Sequence, residues 1–201
     1  MSRLFLLLAM VVLGAFVGAA SALWSTGIFG GRGIVLSDID VAGWVSDWSI
    51  GSPSSGPYTR ARIARHGLLA LTKEEAVYFT RSTDDSGEPL SDTCDYLIAG
   101  EAQPAEWWSV TLYDAGSRLP MNDDGALSLD ATRIGEEGAW EAVISASKPQ
   151  DGNLWISSLN AGNFDLTLRL YRPLPALLTD PQASLAVPSI ERIDCEGRVS
   201  G

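Results

Sequence analysis

With 201 residues and 25 acidic against 14 basic side chains, the chain carries a formal net charge of −11. That balance excludes a nucleic-acid partner, because phosphate binding needs clustered Lys and Arg, and it works against electrostatic docking on an anionic membrane surface. A single histidine, His66, excludes metal sites built on two or three histidines.

The first element sets the compartment. Arg3 is followed by an unbroken apolar run from Leu4 to Ala20, and Leu4 to Trp24 is as long as a membrane-spanning helix needs to be, about 20 residues. The spacing predicts a transmembrane anchor over residues 1–24, entering from a cytoplasmic N-terminus. The competing reading is a signal peptide, because Ala20-Ser21-Ala22 has the small-x-small form of a cleavage site. Gly14 and Gly18 form a GxxxG pair through which two such helices can approach closely. The segment contains only Arg3 among charged residues, so the remainder carries a net charge of −12. Residues 25–42 read as a tether and 43–201 as one exported domain, large enough for a real core.

Within that domain, Asp40 to Ile50 reads as a first strand. Tyr58 to Leu71 has helical spacing, and Thr72 followed by Glu75 resembles a capping box. From Ala76 onward the pattern is one of strands: Ala76 to Thr83, Tyr96 to Gly100, Trp107 to Asp114, Ala126 to Leu129, Trp140 to Ser147, Leu154 to Leu159 and Phe164 to Arg172. The turn clusters Asp84-Asp85-Ser86-Gly87, Asn122-Asp123-Asp124-Gly125 and Asn160-Ala161-Gly162-Asn163 separate them. Phe164, Leu166, Leu168 and Leu170 alternate with Asp165, Thr167, Arg169 and Tyr171, one buried face and one wet face. Prolines 173, 175, 181 and 188 predict an extended, non-helical tail that ends in a strand from Ile190 to Cys195. The expected fold is therefore mainly β: an antiparallel β-sandwich, jelly-roll-like, with one or two short helices behind a single N-terminal transmembrane or signal segment.

Cys94 and Cys195 lie about 100 positions apart, with no second cysteine or histidine near either. In an oxidising compartment they are expected to pair; a buried pair of free thiols is the alternative.

The run Pro57-Tyr58-Thr59-Arg60-Ala61, then Ala64-Arg65-His66-Gly67, Glu75-Ala76-Val77-Tyr78-Phe79 and Asp85-x-Gly87-x-x-Leu90 forms a spaced pattern. Tyr96, the stretch Trp108 to Asp114, and Leu166 to Tyr171 continue it. The combination, over roughly Gly43 to Pro173, resembles the family called domain of unknown function 1214. The resemblance implies a mostly β, sandwich-like domain in its short, stand-alone, membrane-anchored bacterial version. It supplies no activity and no catalytic residues. Taken with the anchor, it places the chain at the bacterial inner membrane, single-pass, with the globular domain in the periplasm; after signal cleavage it would be secreted to the periplasm.

Candidate chemistry is sparse. His66 sits between arginines on a predicted helix, with no GxSxG elbow. Asp84-Asp85 and Asp123-Asp124 are paired carboxylates beside glycine, which turn chemistry accounts for. Trp108, Val110 and Leu112 should face the core, leaving Trp107, Ser109, Thr111 and Tyr113 on the other face, with Arg169 on the polar face of its own strand. Trp107, Tyr113, Asp85, Asp114 and Arg169 are therefore the candidate ligand-binding residues, unless the proline-rich tail packs over that aromatic face. No metal site and no cofactor is called for. The preferred reading is a membrane-anchored binding or interaction module of the cell envelope without catalytic activity, its partners being the inner membrane and an envelope protein or a helix-mediated second copy. The alternative is a carboxylate-dependent hydrolase or ligand-binding protein for carbohydrate or another small polar substrate, using Asp85 with Glu75 or Asp114.

Overall fold

The computed structural model of the chain describes residues 2–25, 39–49, 51, 56–57, 60–61, 64, 71–135, 138–150 and 152–195. Two compact units make it up, one of residues 1–36 and 49–70 and a larger one of residues 37–48 and 71–201. In the first, α1 (Ser2–Ser25) is a single apolar helix, and its stretch Arg3–Trp24, none of it buried, is long and apolar enough to cross a membrane. The predicted helix from Tyr58 to Leu71, with His66, lies largely outside the described residues.

The larger unit is mainly β. One sheet has six strands in the order β1 (Ile39–Val41), β2 (Trp44–Ser46), β3 (Ala76–Arg81), β9 (Phe164–Pro173), β5 (Ala105–Asp114) and β6 (Ser128–Asp130). The other has four, in the order β10 (Ser189–Cys195), β4 (Cys94–Glu101), β7 (Ala139–Ser145) and β8 (Trp155–Ser157). The two sheets share one core: Phe79, Val110, Leu112, Leu166 and Leu168 from the first sheet cluster with Tyr96, Ile98, Ile144 and Ile156 from the second. The inner side of β9 is as its sequence predicts, with Leu166, Leu168 and Leu170 fully buried, whereas Thr167 on the side predicted to be wet is buried as well.

Four local readings differ from the sequence-based expectation. The stretch from Asp40 to Ile50 is a hairpin rather than one strand. Val41 pairs with Trp44, and Ala42 and Gly43 turn the chain at φ 50° and 85°. Positive φ at both central residues is what a two-residue hairpin requires, and the Asp40 carboxylate accepts the Gly43 N–H at 2.8 Å. Secondly, β8 runs parallel to β7, so the sheets are not antiparallel throughout; a period-2 pattern carries no strand direction. The third concerns the tail, which contains the short helices α3 (Pro175–Thr179) and α4 (Pro181–Ser184). Proline stands at the start of each, where its missing N–H has no helical partner to lose. Finally, the capping box at Thr72 is half made: Glu75 accepts the Thr72 N–H at 3.0 Å and closes one turn before β3. A further short helix, α2 (Ala131–Ile134), follows β6 and is capped by Asp130.

The tail crosses from one sheet to the other at one end of the sandwich. Leu177 and Leu185 are buried in the core, Trp44 donates its indole N–H to the Pro188 carbonyl at 3.0 Å, and Gln103 reaches the Ala186 carbonyl at 2.7 Å. Across the second sheet Gly100 pairs with Trp140, and a Cβ at Gly100 would stand 2.9 Å from the indole Cζ2. That indole is fixed by its N–H bond to the Glu101 carbonyl and by stacking on Trp108 at 5.1 Å. Gly100→Ala is therefore expected to destabilise the unit by about 1–3 kcal/mol, the usual cost of overpacking. Urea denaturation checks this, and an unchanged midpoint would show that the ring moves freely.

Candidate functional site

Strand pleating places alternate residues of β3, β9, β5 and β6 on the outer face of the six-stranded sheet, and the register then brings them together. Arg169 of β9 stands between Tyr78 of β3 and Ser109 of β5, while Tyr171 lies between Ala76 and Trp107. Next along the strand, Thr167 is flanked by Thr80 and Thr111, and Asp165 faces Tyr113. Among the described residues at these paired positions there is a single cation near the centre, with aromatic rings toward both ends and hydroxyls between them.

The hydroxyl floor is largely buried: Ser109, Thr111 and Thr167 are 4%, 5% and 8% exposed. Thr80 and Thr167 share a hydrogen bond of 3.2 Å, and Thr111 shares one of 3.0 Å with Ser128. Arg169 is half-buried above them. It donates to Thr111 Oγ1 at 3.1 Å and to the Tyr113 hydroxyl, and its guanidinium carbon lies 5.2 Å from the Tyr113 ring centroid. Among the described residues no carboxylate forms an ion pair with it. Trp107, 37% exposed, leans on Tyr171 with ring centroids 5.4 Å apart and donates its indole N–H to Thr132 Oγ1 at 3.0 Å. Burial and the neighbouring Tyr171 phenol raise the Tyr78 hydroxyl above its ordinary range; Arg169 opposes them and Tyr113 adds to them. Tyr78 therefore stays protonated at neutral pH, able to donate as well as accept.

Of the candidate residues, Trp107, Tyr113 and Arg169 meet on this face. Asp85 and Asp114 do not. Asp85 belongs to the loop after β3, where one oxygen pairs with Arg81 at 2.9 Å and the other accepts the Ile190 N–H at 3.0 Å. Asp114 ends β5 one residue beyond Tyr113, on the opposite side of the pleat, and its Oδ1 accepts the N–H groups of Gly116 and Arg118, both at 2.8 Å. Glu75, the third carboxylate considered for acid–base work, holds the Thr72 N–H. All three are committed to local backbone or ion-pair structure. The hydrogen bonds of the tail run to Trp44, Gln103 and Asp40, and among the described residues none of them goes to a side chain of the aromatic face.

Tyr78 and Tyr171 were not among the candidates. Tyr171 was within reach of the sequence, being two residues from Arg169 on the same strand. Tyr78 was not, because only the register of β3 against β9 brings it beside Arg169.

The loop after β3 holds a second polar cluster. Asp84, 1% exposed, accepts from the Ser86 N–H at 3.0 Å, the Ser86 hydroxyl at 2.6 Å and the Glu88 N–H at 3.0 Å, and pairs with Arg192 of β10 at 2.7 Å. Beside it Arg81 donates to the Asp84 carbonyl at 2.8 Å. The bridge Cys94–Cys195 joins β4 to the end of β10. This cluster and the bridge fasten the last strand to the sheet.

Fold and face together define a two-sheet β-sandwich with an arginine set among aromatic and hydroxyl side chains on the outer side of one sheet. The chain belongs to the family described as "Protein of unknown function (DUF1214)", which matches residues 75–175 and so spans β3 to β9 with every side chain of that face. Among curated proteins none matches. Among solved structures the chain is similar to the VPA0106 protein from Vibrio parahaemolyticus, at 22% identity and a TM-score of 0.55, over 70% of this chain and 36% of that one. A second similar structure is an uncharacterized protein from Burkholderia cenocepacia, at 13% identity and a TM-score of 0.42, over 59% of this chain and 30% of that one. The chain therefore spans about a third of the length of the solved relatives it matches.

Proposed function

We propose that this chain is a membrane-tethered, extracytoplasmic binding module of the bacterial envelope and that its recognition surface is the Arg169 face. The apolar helix α1 supports the tether, as a retained anchor or as an export signal. The Cys94–Cys195 bridge supports an oxidising compartment such as the periplasm. An envelope protein or a second copy, met through the Gly14–Gly18 side of the helix, would complete its setting.

One observation carries the binding reading. The arginines that fasten this fold together are matched to carboxylates, Arg81 to Asp85 and Arg192 to Asp84. Arg169 is instead held by a threonine, a tyrosine and an aromatic ring, with part of its donor capacity left over. A half-buried cation with no counter-ion among the described residues gains from an external acceptor, and the rings beside it offer apolar area for whatever carries that acceptor. The hydrolase reading has no comparable support, because its carboxylates are spoken for.

A survey of small charged and neutral molecules by ligand-observed NMR, on the full chain in detergent micelles, tests this. Molecules that bind the wild type are expected to lose binding to Arg169→Ala. Undiminished binding by that variant across the set would place recognition elsewhere and end this reading.

A further inference from the structure

We infer that the Arg169 face takes a hexuronate, a six-membered sugar ring bearing one carboxylate; this rests on the reading of that face as the binding surface and adds the class of ligand to it. The charge argument comes first. Guanidinium and carboxylate match in shape and make strong charge-assisted hydrogen bonds. Arg169 donates to two hydroxyls among the described residues, fewer than its five N–H groups allow. Directly across from it, the Ser109 hydroxyl makes no bond to any described residue. An acceptor with two oxygens can use both.

The number of charges follows from the surroundings. Among the described residues Arg169 is the only cationic one at the paired positions of this face; Asp130 stands on its margin, with Arg133 beyond it on the Ser128 carbonyl. Asp130 spends its Oδ1 on the N–H groups of Thr132 and Arg133. Outside the N-terminal segment the chain carries an excess of twelve acidic groups. A phosphate or polysulfate would meet one cation and a general repulsion that grows with its charge. A single carboxylate meets the same cation with the least of that repulsion, over a screening length of about 8 Å.

The rest of the face selects what bears the carboxylate. Trp107 and Tyr171 lie one pleat repeat from Ser109 and Arg169, a step of about 7 Å along the strands. A pyranose with its exocyclic carboxylate is about that long, so the charged end can reach Arg169 while the ring's C–H face rests on the exposed indole. Around Arg169 stand the half-buried Tyr78 and Tyr113, one across from it and one accepting from its guanidinium, above Ser109, Thr111 and Thr167, which are largely buried. Sugar hydroxyls can exchange hydrogen bonds with the two phenol hydroxyls. A flat hydrocarbon acid would cover them and offer no partner. The combination of one central cation, an aromatic platform and phenol hydroxyls therefore fits an acidic sugar better than a neutral sugar, an aromatic acid or a phosphate.

Isothermal titration of the full chain in detergent micelles with sodium glucuronate tests the inference, with glucose, sodium benzoate and sodium phosphate compared at matched ionic strength. Glucuronate is expected to bind at least tenfold more tightly than the other three. Arg169→Gln is expected to weaken it by about 10- to 100-fold, the usual loss for a charged hydrogen-bonding group. Trp107→Phe is expected to weaken it less and to quench the fluorescence response. Both variants lie on the outer face, and denaturation midpoints near the wild type establish that they fold. Equal binding of glucose, unaffected by Arg169→Gln, overturns the acid assignment but leaves the face as a binding surface. Equal binding of benzoate or phosphate, lost in Arg169→Gln, overturns the sugar assignment alone. Glucuronate binding that survives Arg169→Gln combined with Trp107→Ala overturns both the ligand and the face. No binding of glucuronate overturns the ligand, and the wider survey described above decides separately about the face.

Discussion

Asp84→Ala is expected to lower the stability of the β-rich unit by about 3 kcal/mol, the low end of the cost of breaking a buried ion pair. The carboxylate is buried and receives three hydrogen bonds from Ser86 and Glu88 besides the Arg192 ion pair. Removing it strands those donors and leaves the Arg192 guanidinium without its counter-ion. The low end applies because the Arg192 side chain keeps 22% of its surface exposed and can turn toward water. The effect also has a pH signature. Burial works to raise the Asp84 carboxyl, but it is outweighed by the Ser86 hydroxyl, the Glu88 N–H, the Arg192 charge and the Ser86 N–H, so the carboxyl titrates below the usual range. As pH falls, the unfolded chain takes up this proton first, near pH 4, and the folded chain only later. The stabilisation is therefore complete above about pH 4 and is lost as pH falls through the depressed folded value. Denaturant titrations of wild type and Asp84→Asn should show a gap that is constant at neutral pH and closes in acid. A gap below about 1 kcal/mol at neutral pH would mean that β10 is held without this carboxylate.

Loss of the disulfide is expected to cost more. The bridge closes a loop of sequence separation 101, for which the chain-entropy model gives about 4–5 kcal/mol. Little else holds the end of β10. Within Ser189–Cys195 only Ile190 is fully buried, and the register shifts between Arg192 and Asp194. Cys94→Ser with Cys195→Ser should therefore lower the unfolding free energy by about that amount and speed amide exchange in β10 well before the β3–β9–β5 ladder. Reduction of the wild type should reproduce both effects. An unchanged midpoint with protected β10 amides would show that the Asp84–Arg192 pair and the Asp85–Ile190 bond suffice to hold the strand.

What the sequence revealed follows from which interactions are local. The alternation in Phe164 to Arg172 and in Trp107 to Asp114 is a property of single strands, so the buried and outer faces were legible. The turn chemistry of Asp84 to Gly87 and of Asn122 to Gly125 was legible for the same reason. Asp84 shows where that reasoning stops: its turn is local, but its ion pair with Arg192 joins residues brought together only by the pairing of β10 with β4. Asp85 and Asp114 differ from the expectation of ligand binding because each is consumed by neighbouring N–H groups or an arginine that composition alone does not reveal. The Ala42-Gly43 hairpin was missed because alanine at positive φ is uncommon. The polar face of Arg169 is legible from its own strand. Its company of hydroxyls and rings depends on two inter-strand registers, and no single strand encodes them.

The most direct test of the account is a crystal structure of the full chain grown with glucuronate. The account predicts the carboxylate against the Arg169 guanidinium, within reach of Ser109, and the sugar ring over Trp107 and Tyr171. Glucuronate seated elsewhere on the β-rich unit, or an Arg169 face closed off by another part of the chain, would contradict it.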